Sequence, residues 1–337
     1  MKKQIHILSS LLLLATATNA VTVSASAEQL PQTAMDQPLN EKGYLTREIA
    51  PSIFMVTDSI YQAMFAVTDE GVVVFDVPYS MGEKLQLAIR EVTETPVSHL
   101  IYSHAHVDHI GGAAIFGDQV QRIASEETAE KLVEAQDPRR PLVTQSFSKA
   151  VNMTVGRLEI EMRVTGKGHL DGNLFIFLPQ HKILMNVDVI YPGWVPFTNL
   201  GMAEDVQGFI DQHDSILDYD FSVFVGGHLG RPGTRKDVLI AKEYVLDLIR
   251  YAQLGHEQAN FYQAAQRVGW ENKWLLVKSF MDEVTQVCAT NMLKRWSSRL
   301  GGAEVSTPGH CFIMQEHISI NGLPLRIINQ VNSGDQK

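Results

Sequence analysis

Between Ser103 and Gly112 the chain reads Ser103-His104-Ala105-His106-Val107-Asp108-His109-Ile110-Gly111-Gly112, three imidazoles and a carboxylate within a few residues. The run before it, His99-Leu100-Ile101-Tyr102, is apolar with a β-branched and an aromatic residue, the composition of a short buried strand. The glycines and small apolar residues after it predict a tight turn leading into a helix. Few folds can use such a cluster, because its side chains must converge at the end of a strand. His104 and His106, two apart, project to one side of an extended backbone. Asp108 and His109 follow as the chain turns and reach a second position. Imidazole and carboxylate are ligands that zinc prefers, at roughly 2.0–2.2 Å. One stretch therefore offers two donors to each of two metal ions.

The rest of the chain alternates short apolar strands with helices. Ile53–Val56, Ala63–Val67 and Val72–Phe75 predict strands, with a hairpin turn at Thr68–Gly71. Gly82–Thr95 is amphipathic and stops at Pro96. Gln121–Ala124 predicts a strand, and Ser125 can cap a helix running to about Ala135, since acidic residues follow it. Leu158–Val164 alternates cleanly between apolar and polar residues. Asn173–Leu178 and Lys182–Met185 continue an antiparallel run through residues 151–191. Ala203–Leu217 predicts a helix and Phe221–Val225 a buried strand. From Thr234 the apolar spacing is helical, so residues 236–337 are expected to form a helical extension, one that could shape a pocket mouth or make a homodimer contact.

His104-x-His106-x-Asp108-His109 resembles the signature of the metallo-β-lactamase superfamily, and the order and spacing of later residues agree over about residues 45–235. The resemblance implies an α+β fold, a four-layer αββα sandwich, with the helical extension added. It also implies a third histidine for the first metal, a bridging carboxylate and a last histidine, each at the end of a later strand. The counterparts are His169 in Gly168-His169, Asp188 in Asn186-Val187-Asp188, and His228 in Gly226-Gly227-His228. The implied ligand set is His104, His106 and His169 for one Zn2+, Asp108, His109 and His228 for a second, with Asp188 and a water or hydroxide between them. Asp76, at the end of the third strand, either buttresses the site as in the family or caps the next loop. Arg139 and Arg140 lie in a loop that borders the substrate mouth in the family; a solvated charge pair is the plainer reading.

The resemblance also bears on chemistry. A pair of divalent ions makes hydroxide available near neutral pH and polarises an acyl oxygen. Family β-lactamases usually carry Cys or Ser where this chain has Asp188, whereas lactonases and thioesterases of the family carry Asp. Tyr191, three residues beyond Asp188, matches the spacing of a substrate-polarising tyrosine in acyl-homoserine lactonases, although packing alone would also explain it. Asp108 can assist proton transfer. Tyr191–Trp194 and Val195–Phe197 add an aromatic, apolar wall suited to a hydrophobic substrate. The expected activity is hydrolysis of an ester, lactone or amide of a small molecule. β-Lactam hydrolysis is the nearest alternative, and a non-catalytic periplasmic metal-binding or interaction protein the alternative of another class. His99, His181, His213, His256, His310 and His317 lack any ligand context and are expected to be structural or on the surface.

Composition excludes other classes. The 337 residues are 45% hydrophobic and 20% charged, with a formal net charge of −10. An acidic chain is a poor partner for nucleic acid or an anionic membrane. The first residues carry a secretory signal pattern: Lys2 and Lys3, an apolar run from Ile5 to Leu14, then small residues with cleavage sites before Val21 or Glu28. The apolar run is too short to span a bilayer, so residues 1–27 are expected to be removed on export to a periplasm or the medium. Cys288 and Cys311 are the only cysteines. An exported chain permits a disulfide, and two buried thiols are the other option.

Overall fold

The computed structural model describes residues 30–334; the signal-like segment lies outside them. Its first sheet holds seven strands in sequence order: β1 (Leu45–Ala50), β2 (Ile53–Thr57), β3 (Gln62–Thr68), β4 (Gly71–Phe75), β5 (Val97–Ile101), β6 (Gln121–Ser125) and β7 (Gln145–Phe147). Pairing is antiparallel from β1 to β4 and parallel from β4 to β7. The second sheet runs β8 (Ala150–Val155), β9 (Leu158–Val164), β10 (Leu174–Leu178), β11 (Ile183–Met185) and β12 (Val223–Val225), with β12 parallel to β11.

Helices α1 (Gly82–Val92), α2 (Val107–Ile110) and α3 (Glu126–Ala135) follow strands of the first sheet. After the second sheet's β11 come α4 (Thr198–Met202) and α5 (Val206–Leu217), and after β12 come α6 (Arg235–Gln258), α7 (Phe261–Val268), α8 (Lys273–Trp296), α9 (Ala303–Asn321) and α10 (Leu325–Gly334). β1, which was not among the strands expected from sequence, pairs with β2 at the sheet edge.

Three apolar clusters account for the layers. One fills the space between the sheets with Ile53, Met64, Phe75 and Ile101 facing Ile160, Met162, Ile176 and Met185. A second lies beneath α1–α3 on the outer face of the first sheet, with Leu85, Ala88 and Ile110 against Phe65, Val74 and Leu100. The third joins Phe175, Leu184 and Phe224 of the second sheet to α5, α6, α8, α9 and α10. The arrangement is therefore the expected αββα sandwich. β4 is buried on both faces, which suits its near-continuous Val-Val-Val-Phe run, while β9 alternates buried and exposed as one-sided burial requires.

The third cluster makes the C-terminal helices part of the second sheet's core. Trp296 and Tyr244 are fully buried within it, and Cys288 of α8 is bonded to Cys311 of α9. Among the described residues, no helix is long and apolar enough to cross a membrane.

Candidate metal centre

Every predicted ligand sits just beyond the end of a strand. β5 ends at Ile101, and the chain passes through Ser103-His104-Ala105-His106 into the single turn of α2, which carries Asp108 and His109. β11 and β12 pair in parallel with Met185 opposite Val225. Asp188 and His228 lie three residues past those partners, so the register sets them side by side. The reciprocal amide bonds Asn173 Nδ2 to the Val187 carbonyl (2.8 Å) and Asn186 Nδ2 to the Leu174 carbonyl (3.0 Å) tie the strand ends together. Asp188 takes a left-handed backbone, φ 67°.

The loop with His169 is clamped from both sides. Ser125, the cap of α3, donates to the Gly172 carbonyl at 2.7 Å. Glu204 and Asp205 donate their amides to the carbonyls of His169 and Gly168. The first sheet holds the His228 loop: Gln62, fully buried, donates its amide to the Gly227 carbonyl and its side chain to those of Leu229 and Arg231. Gly227 has φ 86°, and a Cβ there would press on Val187 and His109. Only glycine fits at that approach.

These loops bring all seven predicted residues together. Donor atoms of His104, His106, His169 and Asp188 lie within 4.8 Å of one another, as do those of Asp108, His109 and His228. Asp188 stands between the two groups. Its Oδ2 is 3.1 Å from Nε2 of both His109 and His169 and 3.5 Å from that of His104, and its Oδ1 is 2.8 Å from Nε2 of His228. His169 Nε2 faces His106 Nδ1 at 3.1 Å, and His109 Nε2 faces His228 Nε2 at 3.1 Å.

The electrostatics suit cations. Burial, then the neighbouring imidazoles, pushes His104 well below the ordinary histidine value and His106 down to about 4. Both are thus neutral at pH 7, the form that binds metal. Burial opposes a charge on Asp188, yet the imidazoles of His109, His228 and His169 outweigh it and keep its carboxyl well below the usual range. Burial also opposes a charge on His109, but Asp188 and Asp108 raise it to about 9. The field that favours a proton at this point favours a metal cation equally. His104 Nε2 is buried without a hydrogen-bond partner. Buried polar atoms rarely stay unpaired, and a bound ion would satisfy this one. The residues present therefore fit metal ions.

Asp76 buttresses the cluster. Its Oδ1 accepts from the Ser103 amide (2.7 Å) and its Oδ2 from the Ser103 hydroxyl (2.6 Å), which lies 2.9 Å from His104 Nδ1. Burial lifts the Asp76 carboxyl to about 6, although His109 and Ser103 favour its ionised form. Partners of this kind orient ligating imidazoles. Asp76→Ala is expected to lower zinc affinity about 10–100-fold, measured by competition with a chromophoric chelator; unchanged affinity would refute the role.

A cavity of about 440 Å³ opens over the cluster, lined by His106, Asp108, Asp188, Tyr191 and His228 at its floor. The Tyr191 ring stacks on His228 (centroids 5.5 Å), and its hydroxyl lies 3.5 Å from Asp188 Oδ1. Burial and then the two aspartates raise that hydroxyl well above the ordinary tyrosine value, so it remains a donor. Asp108 is about a third exposed to the cavity. Arg139 and Arg140 are both engaged by Asp137, and Arg140 also donates to the Ala105 carbonyl, so they brace the loop beside the motif.

Tyr61 escaped the sequence reading. It lies over the histidines (ring centroids 4.8 Å from His228 and 5.7 Å from His109), and its hydroxyl is raised by burial and then by Asp108. Its position just before β3 carried no signal that separates it from any strand-flanking tyrosine. Gly302, the cap of α9, and Val305 and Ser306 of that helix also line the cavity.

Comparisons with known proteins agree with this geometry. The family model described as the metallo-beta-lactamase superfamily matches residues 56–145. Fold, motif order and the matched segment together are similar to those of the metallo-β-lactamase superfamily. The chain is 26% identical over 201 residues to the 2,4-dinitroanisole O-demethylase subunit alpha of Nocardioides sp. (strain JS1661), covering 58% of this chain and 61% of that protein. It is 28% identical over 148 residues to a metallo-beta-lactamase type 2 of Bacillus cereus, covering 43% and 53%. The chain thus spans between half and two thirds of the length of these curated relatives. A metallo-beta-lactamase from Pontibacter korlensis shares the fold with TM-score 0.53 and 22% identity, covering 59% of this chain and 97% of its own. The metallo-beta-lactamase IND-7 does so with TM-score 0.51 and 18% identity, covering 60% and 99%.

Proposed function

We propose that this chain is an exported hydrolase that holds two zinc ions and cleaves an ester, lactone or amide bond of a small molecule. The carrying observation is the convergence of seven donor residues into two adjacent groups around Asp188. His104, His106 and His169 would hold one ion, and Asp108, His109 and His228 the other, with Asp188 shared. When bound, such a pair supplies an acidified water and a Lewis acid for an acyl oxygen.

The chain's own residues supply the rest. In this reading Tyr191 donates a hydrogen bond from its hydroxyl to a substrate carbonyl oxygen above Asp188, supported by its stacking on His228. Asp108, open to the cavity, can accept a proton and deliver it to the leaving group. The apolar walls above the floor suit a hydrophobic part of the substrate. Asp188 and the three-histidine set favour acyl-transfer chemistry over a purely structural metal site, because the cavity leaves the cluster open to a ligand on one side.

Export is supported by the signal pattern of residues 1–27 and by the Cys288–Cys311 bond, which persists in an oxidising compartment. A second reading, β-lactam hydrolysis, draws on the relatives named as metallo-beta-lactamases. Zinc-loaded protein assayed on a panel of lactones, aryl esters, amides and a chromogenic cephalosporin separates the readings. Ester or lactone turnover that is lost on chelation and restored by zinc is expected, with about two zinc ions per chain by elemental analysis. Preferred turnover of the cephalosporin would favour the second reading. Absence of any hydrolysis at two bound ions would favour a non-catalytic metal-binding protein.

A further inference from the structure

The cavity has an acidic and imidazole-bearing floor, but among the described residues no lysine or arginine lines it. Of the arginines in neighbouring loops, Arg139 and Arg140 pair with Asp137 and Arg231 with Asp237, and Lys167 of the His169 loop is not among the lining residues. Its upper wall is apolar and outward-facing, with Ile60, Phe197, Met202 and Val305 each more than half exposed. Exposed apolar side chains gathered around a cavity mouth mark a binding surface rather than packing.

The C-terminal extension builds this wall. The start of α9 is stitched to the Trp194 segment: the Val195 amide donates to the Gly301 carbonyl at 3.1 Å, and the Gly301 amide to the Gly193 carbonyl at 2.9 Å. Those bonds hold Val305 over the cavity. Packed beside it in the same wall is α4, where Asn199, Leu200, Gly201 and Met202 all take left-handed backbone. L-residues adopt that conformation in succession only when their surroundings impose it. The imposing group is again α9. His310, buried and kept neutral, donates from Nε2 to the Phe197 carbonyl (3.0 Å), while its Nδ1 accepts from Tyr244 of α6 (2.8 Å). The matched solved structures are covered almost whole by about 60% of this chain, so the rest of it has no counterpart in them.

We infer that α9, through Val305 and through the Phe197–Met202 turn it holds, is the specificity element of the site, and that it selects an uncharged ester or lactone with an apolar acyl or aryl arm. The inference rests on the hydrolase reading for its bond type and on the cavity walls for its arm. An anionic substituent on that arm would enter an apolar wall with no cation to receive it, at a desolvation cost.

The test is kcat/KM of the zinc-loaded protein on γ-lactones whose alkyl arm grows from methyl to octyl, beside chain-matched lactones ending in a carboxylate. Binding of the corresponding non-hydrolysable 2-alkylcyclopentanones is followed by calorimetry. On the neutral series kcat/KM should rise on the order of threefold per methylene until the cavity is filled, and the terminal carboxylate should remove about tenfold or more. Val305→Lys should shrink the advantage of neutral over carboxylate lactones about tenfold, and Phe197→Ala should flatten the chain-length slope. Both positions are exposed, so folding is not at issue. Turnover that ignores chain length, charge and both substitutions would overturn the inference and leave the hydrolase reading standing. Ketone binding that follows chain length in a protein that hydrolyses nothing would overturn the hydrolase reading and support the inference.

Discussion

Replacing Asp188 by alanine is expected to abolish turnover, with kcat/KM falling by about 10³-fold or more, since a shared pair of ions supplies several kcal/mol of transition-state stabilisation. The reason is geometric. Asp188 is the only carboxylate within 3.5 Å of His104, His109, His169 and His228 among the described residues, and it is itself buried. Without it, Asp108 is the one carboxylate left among the seven donors, and the group of His104, His106 and His169 has none. Zinc content should therefore fall together with activity. The fold should survive, because Asp188 contributes its amide to the Gly226 carbonyl through the backbone, and alanine keeps that bond. Its left-handed φ will cost the variant some stability, since alanine tolerates that region less well than aspartate. Asp188→Asn provides the control, because it keeps shape and removes charge. Full zinc content and near-normal turnover in Asp188→Asn would show that the carboxylate charge is not needed and would sink the assignment.

The second large effect concerns stability. Removing the Cys288–Cys311 bond, by reduction or by the double substitution to alanine, should lower unfolding stability by about 3 kcal/mol, from the loop entropy of a 23-residue separation. Both sulfurs are buried, in helices α8 and α9, which pack with α6 around Trp296 and Tyr244. Because α9 also carries Val305 and His310, loosening it should disturb the mouth before the metal floor. Expected results are an earlier denaturant midpoint and weaker chain-length selectivity, with zinc content unchanged. A midpoint shared by wild type and the double variant would show that the bond adds nothing. So would two free thiols titrated in the denatured, unreduced protein.

Much of the site was legible in residue order. The spacing of His104, His106, Asp108 and His109 needs only a strand running into a turn, and both are local properties of the Leu100–Gly112 stretch. The strands β2 to β4 and β9 declared themselves by apolar runs or alternation, because a strand buried on one or two faces must carry that pattern. His169, Asp188 and His228 were reachable through the family resemblance, since each follows a strand or sits in a loop at a strand end. Helix ends were less legible. The helix expected over Ala203–Leu217 begins at Val206, because Asp205 caps it by accepting from the Gly208 amide (2.6 Å). Similarly, the helix expected to run to Thr95 stops at Val92, with Thr93 already extended.

The sequence by itself determined the chemistry available: which donors exist, their local spacing, and a helical C-terminal third. Those follow from periodicities of two and 3.6 and from side-chain identity, which neighbours in sequence suffice to express. Tertiary structure alone decided where the cavity lies and what it can admit. Tyr61 reaches the histidines because β3 pairs across to the His228 loop, and α9 supplies the upper wall because Gly301, just before it, bonds to Gly193 and Val195, more than a hundred positions earlier. Such contacts depend on how separate elements pack, and no local pattern encodes them.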